Sequence, residues 1–149
     1  MNHVDLDWIK AGCPRRNLSG ANLFRADLSG ANLSGANLSG VDLSGADLSG
    51  VRGLPLVVVL DIDRAIAAAI TDGRGRLDMS TWHRCETTHC RAGWAVVLAG
   101  EAGAELEREL GTNAAAAIIY AQSRPDRAVP NWTASNEEVL EELGISGPR

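Results

Sequence analysis

The chain has 149 residues, and with 45 % of them hydrophobic its composition is that of a globular protein of one or two small domains. The longest apolar run, Leu56 to Leu60, is too short to span a bilayer, and three cysteines without a signal-like start argue against a disulfide framework. The net charge of −5 comes entirely from residues 56–149, and no basic stripe indicates nucleic-acid binding. We therefore expect a cytoplasmic protein with reduced thiols and no membrane or nucleic-acid partner.

Residues 17–51 repeat one five-residue phrase seven times: NLSGA, NLFRA, DLSGA, NLSGA, NLSGV, DLSGA and DLSGV. A period of five fits neither the 3.6 of a helix nor the 2 of a strand, so it predicts a solenoid. The Leu and the small residue before Asn or Asp suit the interior, whereas Asn or Asp and Ser-Gly suit corners.

The phrase resembles the A-[DN]-L-x-x pattern of the pentapeptide-repeat family. The resemblance implies a short right-handed quadrilateral β-helix in which four phrases make one coil, with Leu and Ala pointing inward. Seven phrases make under two coils, and so short a solenoid needs caps at both ends. We expect residues 1–16 to cap one end through an apolar cluster of Val4, Leu6, Trp8 and Ile9. Beyond Val51, either the rest of the chain or a second copy, as a homodimer, should cover the other end.

One phrase differs from the others because Phe24 and Arg25 replace the usual Ser-Gly. Either the coils are only a structural spacer, or this corner is a recognition surface for a protein partner. Some long members of the family are thought to imitate duplex DNA and protect a topoisomerase. A neutral stub of this length is not expected to do so, because such imitation needs a long and strongly negative rod.

Residues 54–149 read as a small all-α domain of four or five helices, after Leu56–Leu60, which fits a strand or a helix entry. The predicted helices run from Asp61 to Asp72, through Ala92 to Ala99 after a cap at Thr87 or Thr88, from Ala102 to Leu110, through Tyr120 after a cap at Thr112, and onward from a capping box at Ser135–Glu138. The sequence thus predicts a mixed fold with an N-terminal cap in residues 1–16, a β-helix in residues 17–53 and a helical domain in residues 54–149.

Residues 82–94, WHRCETTHCRAGW, hold two of the three histidines and two of the three cysteines. The stretch resembles a C-x-T-T-x-C-x-A-G-W-A motif of bacterial and phage domains, some of them joined to pentapeptide repeats, and this resemblance implies no established activity. The first interpretation is packing, with a Thr cap, a buried Cys90, a close helix approach at Gly93 and a core Trp94.

Two other interpretations give these residues a chemical role. In one, His83, Cys85, His89 and Cys90 form a four-ligand site for zinc, although their spacing is not an established zinc pattern. In the other, Cys90 lies in the first turn of a helix and acts as a nucleophile or redox thiol.

Trp132 lies in a loop between Asp126 and Asn136, where an exposed Trp would be an interaction anchor and a buried one a lid on the helical core. Together these patterns favour a non-catalytic protein–protein interaction or structural module without a cofactor. The alternatives are a thiol-based or zinc-binding enzyme or sensor at His83–Cys90 and, third, a DNA-mimicking protein that protects a topoisomerase.

Overall fold

The computed structural model describes residues 17–72, 75–85 and 88–145, and gives no side-chain placement for Arg84 and Cys85. The predicted cap in residues 1–16 lies outside the described residues. We call residues 17–53 the repeat segment and residues 54–149 the helical segment. Among the described residues, every helix is too short or too polar to cross a bilayer.

The phrases of the repeat segment form two stacked layers joined by parallel bridges. Each bridge joins residues twenty positions apart: Asn17 with Asn37, Asn22 with Asp42, Asp27 with Asp47, and Asn32 with Arg52. Four phrases therefore complete a layer, and Arg52 begins an eighth phrase that closes the second layer. This β-helix-like segment is slightly longer than the predicted stub of under two coils.

The interior of both layers is filled by the Leu of the first seven phrases. All seven, from Leu18 to Leu48, are at most 4 % exposed. At the corners, the Asn or Asp side chain accepts a hydrogen bond from the backbone two residues later, as Asn17 Oδ1 does from the Ser19 N–H at 3.0 Å. Each phrase thus combines an inward Leu with a corner that satisfies its own backbone, as the residue types predict.

The open edge of the second layer pairs with the helical segment. Three backbone N–H to carbonyl bonds of 2.8–3.1 Å join the two segments: Gly40 to Leu110, Gly45 to Pro130, and Val129 to Ala46. Asn113 adds a side-chain bridge, because its Oδ1 accepts from the Leu43 N–H and its Nδ2 donates to Asp42 Oδ1, both at 3.0 Å. The helical segment therefore covers this end of the coils, which was one of the two expected arrangements.

Five helices follow within the described residues: α1 Ile62–Thr71, α2 Arg91–Leu98, α3 Gly100–Leu110, α4 Thr112–Ser123 and α5 Asn136–Glu142. Helices α2, α3 and α4 pack against one another, and α1 lies against α2. The central helix is α4, whose residues from Ala114 to Tyr120 are all buried. The predicted capping box of Ser135 and Glu138 is present at the start of α5.

A small three-stranded sheet lies between α1 and α2 and was not predicted. Its strands are β1 Arg76–Leu77, β2 His83–Cys85 and β3 Thr88–His89, with β3 in the middle, parallel to β1 and antiparallel to β2. Strands of two or three residues are too short to give a period-2 pattern. The prediction of an all-α domain is therefore incomplete at this point.

Two predicted helix caps are wrong. Thr88 lies in β3, and α2 is capped instead by Cys90, whose Sγ accepts a hydrogen bond from the Gly93 N–H at 3.2 Å. Thr87, the other predicted cap, lies outside the described residues. Thr112 is the first residue of α4 rather than its cap, and its hydroxyl donates to Glu107 Oε2 at 2.8 Å. A backbone turn can be capped by several residue types, so a Thr near a helix start is only a weak signal.

Candidate functional site

The corner formed by Phe24 and Arg25 is exposed and structurally distinct. Phe24 is 40 % exposed, and the Arg25 guanidinium carbon lies 5.1 Å from the centre of its ring. Arg25 has a φ of 58°, in a position where the other phrases have glycines with φ between 68° and 73°. The two predicted recognition residues therefore lie side by side on the surface, with a backbone that normally requires glycine.

The layer beneath this corner supports it. The Arg25 N–H donates to Ser44 O at 2.9 Å, and the Phe24 N–H donates to Asn22 Oδ1 at 3.0 Å. A β-carbon added at Gly45 would lie 3.0 Å from Arg25 Cγ, so the absence of a side chain at Gly45 leaves room for the Arg25 stem. The pair is thus held on a backbone fixed by hydrogen bonds, and its two side chains face solvent.

Trp132 is a lid on the core rather than an exposed anchor. It is 5 % exposed, and its ring centre lies 5.7 Å from that of Tyr120. Its indole N–H donates to Asn113 Oδ1 at 3.2 Å, and its backbone N–H donates to Ser44 Oγ at 2.8 Å. Trp132 therefore seals the junction between the repeat and helical segments, so its interpretation as an exposed interaction anchor is wrong.

His83 and His89 are in direct contact. Their Nδ1 atoms are 2.7 Å apart, and His83 Nε2 lies 2.5 Å from Glu107 Oε2. A carboxylate accepts hydrogen bonds, so His83 Nε2 carries a proton, and in neutral His83 the Nδ1 atom accepts from the Nδ1–H of His89. His89 is buried, and its ring packs edge-on against Trp94. The arrangement is a fixed hydrogen-bonded chain from Glu107 to the interior.

Glu107 was not predicted as a site residue, although its position on α3 sets it apart from the other acidic residues of that helix. The neighbouring acidic residues Glu105 and Glu109 share a different face of α3, because at about 100° per residue Glu107 lies about 200° away from both. A single acidic residue on the opposite face from its neighbours indicates a partner inside the protein. That partner is His83.

Cys90 lies at the N-terminus of α2 in a setting that keeps its thiol protonated. It is 2 % exposed, and burial raises the pKa of the thiol even though the Gly93 N–H donates to its sulfur. A reactive cysteine has a lowered pKa and access to solvent. The predicted position of Cys90 at a helix start is correct, but its environment is that of a packing residue.

The predicted zinc ligands are not brought together as a set within the described residues. In those residues, no group of three or more His, Cys, Asp or Glu side chains lies where it could hold a metal ion. The side chain of Cys85 lies outside the described part of the chain. The metal interpretation therefore depends on the His83–His89 pair and on Cys85.

A buried ion-pair cluster lies around Arg91, which the sequence analysis did not single out. Arg91 is 1 % exposed, yet its Nε donates to the Tyr120 hydroxyl at 2.9 Å and its Nη2 to Asp63 Oδ1 at 2.9 Å. Its Nη1 donates to Glu142, and Arg124 Nη1 donates to the other oxygen of Asp63 at 2.8 Å. The cluster ties α1, α2 and α5 to the central helix.

The pKa shifts of this cluster follow from its contacts. Burial alone would raise the pKa of Asp63, but hydrogen bonds from Arg91 and Tyr120 outweigh it and leave the pKa lowered. Burial raises the pKa of Tyr120, so its hydroxyl stays protonated and donates to Asp63 Oδ1 at 2.8 Å. All of these groups have partners inside the protein, which indicates a structural role.

A cleft of about 470 Å³ lies between the repeat segment and the helical segment. Its titratable lining residues are Asp42 and Cys90, and Trp82, which also lines it, is 41 % exposed. Asp42 Oδ1 already accepts hydrogen bonds from the Ser44 N–H and from Asn113, and the Cys90 thiol is protonated. The cleft lining therefore offers no nucleophile paired with a base, the minimum for acid–base or covalent catalysis.

Comparison with known families shows that residues 17–52 match the pentapeptide repeats, in 8 copies. Eight copies agree with the eight residues joined by the four bridges of the two layers. No curated protein and no solved structure matched the chain. The match covers 36 of the 149 residues, so the role of the helical segment is argued from its own contacts.

Proposed function

We propose that the protein is a non-catalytic interaction module that recognises a protein partner through the Phe24–Arg25 corner of its repeat segment. The observation that carries the proposal is the exposed aromatic and guanidinium pair at a position where the other six phrases of residues 17–51 have Ser-Gly. We further infer that the coils follow the right-handed four-sided path of pentapeptide-repeat proteins, and that the module acts in the cytoplasm.

Folding stability does not account for this pair. A non-glycine residue in the left-handed region costs about 1–2 kcal/mol. An exposed cation–π contact returns about 0.5–1 kcal/mol. Since glycine serves the same corner in other phrases at no such cost, the residue types at this corner are better explained by what they bind.

The chemistry of the corner indicates the kind of partner. Arg and aromatic side chains are enriched at the centres of protein interfaces, where Arg pairs with carboxylates and an aromatic ring fills an apolar pocket. We therefore expect a partner surface with an apolar pocket beside an acidic group. Imitation of duplex DNA is disfavoured, because two layers at about 4.8 Å spacing make no rod.

The double variant Phe24→Ser/Arg25→Gly tests this proposal because it restores the usual Ser-Gly corner. We expect its melting temperature to be unchanged or slightly higher, since glycine removes the strain at Arg25, while partner capture falls about tenfold or more. The measurement is quantitative mass spectrometry of proteins captured from the native host by the wild-type and variant chains.

A matched control moves the same pair to the next corner. The variant Phe24→Ser/Arg25→Gly/Ser29→Phe/Gly30→Arg keeps the composition of the surface, and Gly30 has open space around it and a φ of 73°. We expect no recovery of capture, because the pair then faces a different side of the coils. Equal capture by wild type and the double variant contradicts the proposed recognition corner.

The second candidate function is a zinc-dependent or thiol-based enzyme or sensor at His83–Cys90. The observation in its favour is the 2.7 Å approach of the two imidazoles, one residue from Cys90 and two from Cys85 in the chain. Two imidazoles and two thiols would be a ligand set of the type that zinc prefers. The raised pKa of Cys90 argues against a free reactive thiol there.

Elemental analysis and thiol kinetics separate these functions. We expect the purified protein to hold no stoichiometric zinc and Cys90 to react slowly with an aromatic disulfide reagent until urea unfolds the chain, as followed by peptide mass spectrometry. Replacing Cys90 by Ala should cost about 1–2 kcal/mol through loss of packing. One equivalent of zinc that is lost in Cys85→Ser, with a lower melting temperature, would establish the metal site instead.

A further inference from the structure

The segment between the coils and α1 carries the most exposed large apolar side chains among the described residues. Leu56 is 80 % exposed, Val58 is 45 % exposed and Leu60 is 86 % exposed, whereas Val59 is buried and Val57 is half-buried. Alternation of outward and inward residues is the pattern of a β-strand with one face on the protein. The outward face here is apolar, and a contiguous apolar surface exposed to water typically marks an interaction site.

The backbone of this segment is also largely unpaired. Among the described residues, Leu56–Leu60 makes one backbone hydrogen bond, from the Val59 N–H to Ser123 Oγ at 2.8 Å. In an extended strand, successive N–H groups point to opposite edges. By this alternation the N–H groups of the even-numbered residues belong to the edge away from Ser123, and Pro55, which has no N–H, falls on the other edge with Val59. The outer edge is thus free to accept another strand.

The charges at the two ends of the segment are complementary. No charged residue lies between Arg52 and Asp61, and both are exposed; the Asp61 side chain is 68 % exposed even with Arg64 of its own chain 3.6 Å away. Proteins usually protect a free strand edge with charged residues or prolines along it, and here the charges stand only at the ends. Two copies of the segment that run antiparallel bring the Arg52 end of each against the Asp61 end of the other.

We propose that residues 54–60 form the edge strand of a homodimer, in which the same segment of a second copy pairs with it antiparallel about a two-fold axis. The backbone edges satisfy each other, the outward Leu56, Val58 and Leu60 of each copy lie beside those of the other on one face of the ladder, and the charged ends attract. This interface is separate from the Phe24–Arg25 corner and independent of its role. Because the strip is narrow, we expect a weak dimer with a dissociation constant of about micromolar.

Sedimentation equilibrium of the full chain over about 1–200 µM tests the dimer directly. We expect the wild type to associate in this range and Val58→Lys to weaken association by at least about tenfold, because it places a like charge on both copies near the centre of the pairing. The control is Val97→Lys, on α2, which changes an apolar residue of similar exposure, 40 %, and should leave association unchanged. Circular dichroism checks that both variants are folded.

The charged ends provide a second test that does not alter the apolar strip. Arg52→Glu should weaken association because it places a negative charge near Asp61 of the other copy, and adding Asp61→Asn to the same chain should restore part of the loss. Asn is chosen because Asp61 has a φ of 52°, which Asn tolerates. A wild type that stays monomeric at the highest concentration, or a Val58→Lys chain that associates as the wild type does, overturns the proposal.

Discussion

Leu33→Asp should unfold the repeat segment or lower the melting temperature of the protein by about 10 °C or more. Leu33 is 3 % exposed, inside layers lined by other Leu side chains. Burying an unpaired carboxylate there costs about 4 kcal/mol or more, a large part of the roughly 5–15 kcal/mol that stabilises a typical protein. The measurement is thermal unfolding followed by circular dichroism.

The control for this prediction is Asn37→Asp. It adds the same charge to the same coils, but at an exposed corner where other phrases already use Asp. Its stability should stay within about 0.5 kcal/mol of the wild type. If Leu33→Asp melts like Asn37→Asp, the Leu residues do not fill a packed interior and the layered arrangement is wrong.

Arg91→Met should destabilise the protein by about 3 kcal/mol at neutral pH, because it removes the buried guanidinium shared by Asp63 and Glu142, although Arg124 still pairs with Asp63. The Arg91 side chain is 1 % exposed, whereas that of Arg64, which pairs with Asp61 at 3.6 Å, is 85 % exposed. Arg64→Met is therefore the control and should cost less than about 1 kcal/mol. Urea midpoints of both variants measure the difference, and equal midpoints contradict the structural role of the cluster.

The stability of the wild type and that of Arg91→Met should respond differently to acid. The folded pKa of Asp63 is lowered from the ordinary value of 3.8, so its ionisation contributes stability that is complete above that value and is lost as the pH falls through the folded pKa. Arg91→Met removes a guanidinium whose hydrogen bond and charge lower the pKa of Asp63. Ionisation of Asp63 therefore contributes less stability to the variant, and less is lost in acid. The stability gap between wild type and variant should therefore narrow from about pH 7 to about pH 3. If the difference in stability between wild type and Arg91→Met stays constant over this pH range, the destabilisation comes from lost packing alone.

The repeat segment could be predicted in detail because its structure is determined locally. Each of the seven phrases places its Leu inward, and its Asn or Asp side chain accepts a hydrogen bond from its own backbone. The residues within each five-residue unit therefore determine its conformation. The C-terminal boundary of the repeats was predicted one phrase too early, because Arg52 takes the place of Asn or Asp and the eighth phrase departs from the pattern. The helix periods of α1, α3 and α5 were likewise visible, because one face of each is apolar.

The site contacts could not be predicted, since they join residues far apart in the chain. Arg91 meets Asp63 and Glu142 from two other helices, and no sequence spacing shows that a charged residue near a helix start will be buried. The role of Cys90 as a helix cap also depends on tertiary neighbours. A close approach at Gly93 was predicted, but the neighbour is not a helix: a β-carbon there would lie 2.1 Å from Trp82 O, in the bend just before β2.

The bridges between layers also restrict how the length of this protein can change. The helical segment contacts two successive sides of the second layer, one at Gly40 and the next at Gly45 and Ala46. Inserting a single phrase between Ala46 and Val51 would rotate these groups by one side, a quarter turn, relative to the helical segment, and the contacts with Leu110, Pro130 and Val129 would be lost. Inserting a whole layer of twenty residues returns every side to its original direction. Insertions between Ala46 and Val51 therefore preserve the docking of the helices only in multiples of twenty residues, whereas phrases added before the second layer leave it unchanged.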